Sequence, residues 1–243
     1  MTDRFHQSLD GQWQFFLDPM ASLNVASLQK TTGIKIQVPA PWQSQSADLQ
    51  HYTGTAWYQR SVDIPSSWVG KNIVLHFGAV DYKTTVWFND EKVGEHEGGY
   101  LPFDLDVTRF SHEGTNTITL KVEDGLKLFP EVPHGKQSWY GPISGIWQSV
   151  YIEACPTLFI KTVKVTPIEN QVRVKVELNR QLESNELLRY EILAPNGEDV
   201  FFMDSSSVEE NIPVAHPLLW DLDTPNLYTA RISINLPEED IRE

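Results

Sequence analysis

Hydrophobic and polar residues alternate with a period of two along most of the chain. The segments 84–89 (TTVWFN), 116–122 (NTITLKV) and 171–178 (QVRVKVEL) show this alternation, which is typical of half-buried β-strands. The pattern predicts further strands at 34–38, 57–64, 71–77, 146–153, 159–166, 187–193 and 227–236. Residues 21–29 favour a helix, but it is short and lacks a sustained helical repeat. The sequence therefore predicts an all-β protein.

Turn-forming residues separate these segments. Asn89-Asp90 and Asn196-Gly197 are hairpin signals, because Asn, Asp and Gly adopt positive φ at little cost. A domain boundary is predicted near Cys155-Pro156, since the preceding strands are rich in aromatic residues and the following ones in Lys, Glu and Val. The pattern therefore indicates two β-sandwiches.

Two long segments before the boundary, 39–56 and 124–145, lack a strand pattern. Loops longer than about 12 residues are uncommon unless they bind something or are disordered. Both contain Trp, Tyr, His and Gly, a composition that argues against disorder. The binding chemistry is therefore expected in the first sandwich.

The loop 124–145 combines aromatic rings with polar side chains. Sugar recognition needs hydrogen bonds to hydroxyls and an aromatic face against the C–H side of the ring. The loop offers candidates for both: His134, Lys136, Gln137, Trp139 and Tyr140. The alternative is that Trp139 and Tyr140 only close the end of the sandwich.

The loop 41–60 is the second candidate. Four of its residues could line a pocket: Trp42, Gln43, His51 and Tyr52. Trp57 and Tyr58 instead enter a strand, and we expect them to be core residues.

The charge and composition of the chain argue against several classes of function. The chain has 243 residues and a formal charge of 19 − 33 = −14, which disfavours binding to nucleic acid or to an anionic membrane surface. No apolar run approaches the ~20 residues of a membrane helix, and the amino end has no apolar signal-peptide core. The single cysteine, Cys155, fits a reducing compartment. A cytoplasmic location is therefore expected.

Catalytic and metal-binding patterns are not found. His96 lies between Glu95 and Glu97 without the further nitrogen ligands of a transition-metal site. Asp104 and Asp106 suit turn capping better than calcium binding. The sequence contains no G-x-S-x-G elbow, phosphate loop or H-E-x-x-H motif. We expect no metal, no cofactor and no complete active site.

Several stretches, in order, resemble glycoside hydrolase family 2, the family of β-galactosidases, β-glucuronidases and β-mannosidases. They are SLDGQWQFFLDP (8–19), VPAPWQ (38–43), GTAWYQR (54–60), WVGKNIVLHFG (68–78), VWFNDEKVGEHEGG (86–99), YLPFDLDVT (100–108), SGIWQSVYIE (144–153) and LWDLDTPNLY (219–228). Their order and spacing agree with the family across almost the whole chain.

The resemblance implies a galactose-binding-like jelly roll at 1–154, which binds sugar, and an immunoglobulin-like sandwich at 155–243. In that family a catalytic TIM barrel follows, and a barrel needs ~250 residues. On this resemblance, we expect a barrel and a final strand of the second sandwich to follow the given sequence. The resemblance therefore implies the front portion of a longer enzyme, with the barrel as its partner and homo-oligomers expected.

Two features bear on catalysis and specificity. The family's acid/base glutamate follows an Asn, but Asn185-Glu186 lies in a predicted turn and receives no catalytic role here. Gly54 stands where galactosidase-type members carry an Asn, and 138–143 lacks the Asp that galactosidase- and glucuronidase-type members tend to have there. The sugar is therefore not assigned.

Three interpretations remain open at this stage. The leading one is the non-catalytic accessory region of a β-glycosidase, which shapes the substrate site. The others are a free-standing carbohydrate-binding module and a structural scaffold whose loop aromatics pack against the barrel.

Overall fold

The computed structural model describes residues 4–125, 128–132 and 141–235. Within these ranges it contains eighteen β-strands, one four-residue α-helix and four short 3₁₀ helices. The all-β prediction is confirmed. The structure forms two compact units, Met1–Thr157 and Leu158–Glu243.

The strands of the first unit are β1 (Phe5–Ser8), β2 (Gly11–Leu17), β3 (Ile34–Val38), β4 (Gly54–Ile64), β5 (Asn72–Phe77), β6 (Val80–Asp81), β7 (Lys83–Phe88), β8 (Glu91–Glu97), β9 (Phe103–Asp106), β10 (Gly114–Asp124), β11 (Gly145–Ile146) and β12 (Val150–Cys155). The 3₁₀ helices are Trp42–Ser44, Ala47–Leu49, Ser66–Trp68 and Thr108–Phe110.

In the part of the chain that the structure describes, the first unit has a four-stranded sheet, β1-β12-β5-β9, and a six-stranded sheet, β3-β2-β4-β10-β7-β8. All of their strand pairs are antiparallel. Alternate residues of both sheets turn into one apolar core, as their patterns require. Its largest fully buried side chains include Trp13, Phe15, Trp42, Tyr58, Phe77 and Phe88.

The helix α1 (Val25–Leu28) belongs to a smaller cluster. Asn24 caps it, because its side chain accepts from the backbone N–H of Ser27 at 3.0 Å. Leu28 packs with Phe16 and Trp57. Trp57 and Tyr58, which the sequence assigns to the core, are 3% and 0% exposed, so that prediction is confirmed.

Both predicted hairpins form. Asn89 and Asp90 adopt φ values of +50° and +66° between β7 and β8, as a tight hairpin turn requires. Gly197 has a φ of +86° before β16.

The second unit contains β13 (Ile160–Ile168), β14 (Gln171–Leu178), β15 (Leu187–Leu193), β16 (Asp199–Ser205), β17 (Glu209–Pro213) and β18 (Thr229–Asn235). Among the described residues these form two three-stranded sheets, β13-β14-β17 and β16-β15-β18. Residues from both sheets share one core that includes Val174, Leu188, Tyr190, Ile192 and Ile212.

Several predicted strands begin or end one to three residues from the observed bounds, and one predicted strand is interrupted. The segment 146–153 is split into β11 and β12, with 147–149 outside both strands. Trp147 lies in this interruption, and its indole N–H donates to the carbonyl of Gly99 at 2.7 Å.

Candidate functional site

The two long loops of the first unit meet at a polar junction formed by Gln43 and Ser144. The Gln43 side-chain oxygen accepts from the Ser144 backbone N–H at 3.0 Å, and its amide nitrogen donates to the Ser144 hydroxyl at 2.6 Å. The same nitrogen also donates to the Tyr52 carbonyl at 3.1 Å. One glutamine therefore joins both ends of the first loop to the second.

Asp124 completes this junction. It ends β10, where the second loop begins, and is 1% exposed. The Ser144 hydroxyl, also buried, donates to its carboxylate at 2.5 Å. Because a buried carboxylate requires such donors, the pair holds positions 124 and 144 together at the two ends of the candidate segment 124–145.

Gly145 brings the second loop against the core. Its φ is +92°, and a Cβ atom there would lie 2.0 Å from the Tyr58 hydroxyl oxygen. The Ile146 backbone N–H donates to that oxygen at 3.4 Å. Burial raises the pKa of Tyr58, so its hydroxyl stays protonated. Only glycine combines this φ with this close approach.

The short strand β11 connects the junction to β6 and to the residues around Gly99. It pairs with β6, with Gly145 opposite Asp81, and the Ile146 carbonyl accepts from Ala40 N–H at 3.0 Å. Gly99 packs directly over Asp81, since a Cβ there would lie 2.5 Å from the Asp81 carboxyl carbon.

Four aromatic side chains border these loops. Tyr82 and Phe129 pack edge to face at 5.0 Å between ring centroids, and Tyr100 and Trp147 do so at 5.9 Å. Tyr100 is 68% exposed. The exposed ring of Tyr100 suits the apolar face of a sugar, and the Glu97 carboxylate, which accepts from the Tyr82 hydroxyl at 3.3 Å, is of the kind that binds sugar hydroxyls. We call Tyr82, Tyr100, Phe129 and Trp147 the aromatic cluster.

The residues predicted from the second loop lie outside the described residues. They are His134, Lys136, Gln137, Trp139 and Tyr140. Their contribution to sugar binding therefore stays a prediction.

The prediction for Trp42 needs correction. Trp42 is 0% exposed, and its indole N–H donates to the Tyr52 carbonyl at 2.9 Å. A ring without exposed surface has no face to offer a sugar, so Trp42 is a core residue that shapes the loop.

His51 and Tyr52 lie further along the same loop. His51 is exposed, whereas Tyr52 is half-buried and packs against Trp42 at 5.8 Å between ring centroids. The Tyr52 hydroxyl donates to the Thr55 carbonyl at 2.5 Å. Partial burial raises the pKa of Tyr52. The structure thus brings Tyr52, Trp42 and Gln43 together and leaves His51 facing solvent.

Sequence reasoning missed Asp124, Ser144 and the aromatic cluster. Asp124 closes a strand and Ser144 precedes Gly145 in the sequence, but neither position carries a recognisable motif. The stretch GGYLPF (98–103) contained a weak signal, because an aromatic residue after two glycines indicates a surface loop, and binding residues are often found on such loops.

The remaining candidates have structural roles. His96 stacks on Phe103 at 4.2 Å between ring centroids, and Asp106 caps the Thr108 backbone N–H at 2.9 Å. Within the described ranges, no group of three or more His, Cys, Asp or Glu side chains could hold a metal ion.

Glu186 and Cys155 also lack a catalytic setting. Glu186 accepts two hydrogen bonds of 2.7 Å from the Arg180 guanidinium, which hold its pKa below the ordinary value. Burial raises the pKa of the Cys155 thiol to about 12. In residues 4–125, 128–132 and 141–235, no helix has the length and apolar character to span a bilayer.

Comparison with protein families agrees with this architecture. The model described as "Glycosyl hydrolases family 2, sugar binding domain" matches residues 6–156, which include both loops of the junction. The chain belongs to glycoside hydrolase family 2. A second model of the family, "Glycosyl hydrolases family 2", matches residues 151–243.

The chain is similar to longer proteins that are named β-glucuronidases. It is 33% identical over 138 residues to a β-glucuronidase of Paenibacillus borealis, covering 54% of this chain and 23% of the relative. It is 25% identical over 271 residues to the β-glucuronidase of Rattus norvegicus, covering 95% and 42%. The chain spans less than half of these relatives and corresponds to their amino-terminal, non-catalytic portion.

Solved structures show the same fold. A β-glucuronidase of Faecalibacterium prausnitzii aligns with a TM-score of 0.75 at 24% identity, over 96% of this chain and 44% of that structure. The β-glucuronidase of Ruminococcus gnavus aligns with a TM-score of 0.73 at 24% identity, over 97% and 43%. These alignments support a galactose-binding-like jelly roll followed by an immunoglobulin-like sandwich.

Proposed function

We propose that this chain is the accessory region of a family 2 β-glycosidase, in which it shapes the substrate site while a separate barrel domain performs hydrolysis. The sugar-binding domain would comprise 1–154 and the immunoglobulin-like domain 155–243. The observation that carries the proposal is the junction of Gln43, Ser144 and Asp124, which holds both long loops at one place. A loop fixed at both stems can present side chains to a ligand at low entropic cost.

The proposed ligand is a β-glycoside. The aromatic cluster supplies rings for the C–H face of a sugar, and Asp81 and Glu97 supply hydrogen-bond acceptors for hydroxyls. Relatives named β-glucuronidase and β-galactosidase support a β-linked sugar as the substrate class. His134, Lys136, Gln137, Trp139 and Tyr140 are proposed as further contacts from the second loop.

The second unit has an exposed apolar segment that suits contact with a partner protein. Five exposed apolar side chains lie before β18: Leu218, Leu219, Trp220, Leu222 and Leu227. Hydrogen bonds from the Thr224 backbone N–H and hydroxyl to Asp221, at 2.6 and 2.7 Å, stabilise this segment. A preformed apolar surface of this kind is typical of an interface. We propose that the catalytic barrel or a second subunit covers it.

We also propose a cytoplasmic location, which is supported by the single cysteine being a buried free thiol.

The test uses the chain with a separately produced catalytic remainder of a family 2 β-glucuronidase. We expect the chain alone to hydrolyse no nitrophenyl β-glycoside and the mixture to be more active than the remainder alone. Tyr100→Ala should raise KM in the mixture, whereas Phe202→Ala, which changes a similarly exposed aromatic residue of the second unit, should not. Hydrolysis by the chain alone would contradict the proposal.

The same proteins and variants distinguish this proposal from two alternative functions. A free-standing binding module would bind saccharides in a calorimetric titration of the chain alone and leave the activity of the remainder unchanged. A structural scaffold would raise the activity, but Tyr100→Ala would leave KM unaltered.

A further inference from the structure

The outer face of the four-stranded sheet in the first unit carries a connected set of titratable side chains. In the sheet register Tyr151 of β12, His76 of β5 and Asp104 of β9 lie directly opposite one another, so their side chains share one face. Glu153, two residues along β12 from Tyr151, adds a second carboxylate to that face. None of these residues belongs to the loop junction or to the aromatic cluster.

His76 lies between the two carboxylates. Its Nδ1 is 2.5 Å from Oδ1 of Asp104, and its Nε2 is 3.4 Å from Oε2 of Glu153. The Nε2 atom is buried and has no hydrogen-bond partner within the part of the chain that the structure describes. The side chains of His76 and Glu153 are only 14% and 13% exposed, so water screens their interaction less than it would at the open surface.

The protonation state of His76 decides how many of these contacts are favourable. A neutral imidazole has one N–H, and its other nitrogen carries a lone pair. When Nδ1 holds the proton and donates to Asp104, the lone pair of Nε2 faces the Glu153 carboxylate. A protonated ring has an N–H on each nitrogen, and its positive charge then lies between two negative ones. The geometry therefore matches the protonated ring at both nitrogens and the neutral ring at one.

The Tyr151 ring covers one side of His76. The two rings stack at 4.3 Å between centroids with an angle of 12°, and an aromatic face attracts a cation. Burial, and then the charges of Asp104 and Glu153, raise the pKa of the Tyr151 hydroxyl, so Tyr151 adds no charge near neutral pH. On the far side of Tyr151, His6 contacts the ring edge to face at 4.6 Å.

The other neighbouring groups act on the carboxylates rather than on His76. From β12 the Cys155 thiol donates to Oε2 of Glu153 at 3.2 Å, and Nη1 of Arg4, next to β1, lies 3.4 Å from the same oxygen. On β9 the Asp106 carboxylate accepts from the backbone N–H and hydroxyl of Thr108 at 2.9 and 2.6 Å. Among the described residues, Asp104 and Glu153 are therefore the charged groups that meet the His76 nitrogens.

The strand β9 is the element that depends on this contact. It has four residues, lies at the edge of its sheet and follows the loop that carries Tyr100. An edge strand has one hydrogen-bonded neighbour, so side-chain contacts contribute a large share of its attachment. Phe103 anchors its inner side by stacking on Phe77 at 4.9 Å, and His76 holds its outer side.

We infer that His76 is a pH-dependent clamp, whose protonated ring ties β9 to β12 through Asp104 and Glu153 and whose neutral ring loses the attraction to both carboxylate charges. The clamp strengthens as the pH falls through the range in which histidine takes up a proton, near pH 6.5. It is lost again below about pH 4, where carboxylates are protonated. The inference concerns the fold of the first unit and does not rest on the proposed function.

The test compares unfolding of the whole chain in urea at about pH 5.5 and pH 8, on either side of the usual histidine range. Tryptophan emission follows the first unit, since seven of the eight tryptophans lie in residues 1–157. His76→Gln should raise the equilibrium constant of unfolding about fivefold more at the lower pH than at the higher one. His51→Gln, which removes an exposed histidine of the same unit, should have the same effect at both.

A milder variant and a local measurement guard against a general loss of folding. Asp104 is exposed, and Asp104→Asn keeps an oxygen that accepts from Nδ1, so this variant should fold and should also lose more stability at the lower pH. Deuterium exchange of the β9 amides, relative to the unfolded chain at the same pH, should be slower at pH 5.5 than at pH 8 in the parent and independent of pH in His76→Gln.

Two results would overturn the inference. Equal losses at both pH values for His76→Gln and Asp104→Asn would show that His76 contributes only packing against Tyr151. Exchange of the β9 amides that changes with pH in His76→Gln as it does in the parent would assign the pH dependence to another group.

Discussion

The Ser144 hydroxyl donates a 2.5 Å hydrogen bond to the carboxylate of Asp124, twenty residues earlier in the chain. Both residues are buried, at 0% and 1% exposure. The bond closes the base of the second loop, and Gln43 joins the first loop to the same hydroxyl. The Ser144 hydroxyl therefore contacts both loops, beside the backbone bonds that join Ser144 to Gln43 and Trp42.

Ser144→Ala should destabilise the first unit. The variant removes the hydroxyl that donates to the buried Asp124 carboxylate and accepts from Gln43. An unsatisfied buried group of this kind costs about 1–3 kcal/mol, which urea unfolding can measure. Ser149→Ala changes an exposed serine and should leave the free energy of unfolding nearly unaltered. Equal effects of the two changes would show that the junction adds no stability.

Gly145→Ala should be more damaging than an ordinary glycine substitution. The new Cβ would meet the Tyr58 hydroxyl at 2.0 Å, and the residue would keep a φ of +92°. Backbone strain alone costs about 1–3 kcal/mol. Tyr58→Phe removes the clashing oxygen, so Gly145→Ala should cost less in that background. A double-mutant cycle in urea measures the coupling, and a coupling near zero would contradict the close approach.

Cys155 should resist thiol reagents in the folded protein. The thiol is fully buried, and burial raises its pKa to about 12, so little thiolate is present at neutral pH. Labelling with iodoacetamide should be slow in buffer and fast in urea. Rapid labelling under native conditions would show that the end of β12 opens readily.

The pair of Glu186 and Arg180 should make the second unit sensitive to acid. Two hydrogen bonds from Arg180 and one from the Glu183 backbone hold the Glu186 pKa below its ordinary value of 4.5. A lowered carboxyl pKa stabilises the folded state above the unfolded-state value, and this contribution is lost as the pH falls through the folded-state value.

Glu186→Gln tests this linkage. At pH 7 the variant should unfold a few degrees below the parent, and the difference should shrink as the pH falls below about 4. Glu198→Gln, at an exposed position, should follow the parent at every pH. A difference that stays constant with pH would exclude ionisation of Glu186 as the cause.

Strands with regular alternation were predictable from the sequence. The segments 34–38, 171–178 and 187–193 agree with the structure residue for residue, because their apolar side chains face one buried side. The strand β8 was missed, since EKVGEHE contains one large apolar residue and lies at the edge of its sheet. The turn at Asn89 and Asp90 was predictable because its chemistry is local.

The site was predictable only in outline. The sequence indicated two binding loops, but the bond between Asp124 and Ser144 joins residues whose proximity depends on the completed sheets. Trp42 was misassigned for the same reason, because a tryptophan in a loop can face the solvent or the core. Trp42 is buried because it contacts Phe15 and Tyr52. These contacts cannot be predicted from the sequence around Trp42.

The burial of Trp42 has a consequence for motion. A loop that inserts an indole ring into the core cannot detach without exposing that ring and breaking its bond to Tyr52. Such an opening is a sub-global unfolding event rather than a loop fluctuation. The amides of Trp42, Leu49 and Tyr52, which donate to backbone carbonyls, should therefore exchange with deuterium at rates close to those of β4 and β10, and the tryptophan emission of the first unit should change only when the sandwich itself unfolds.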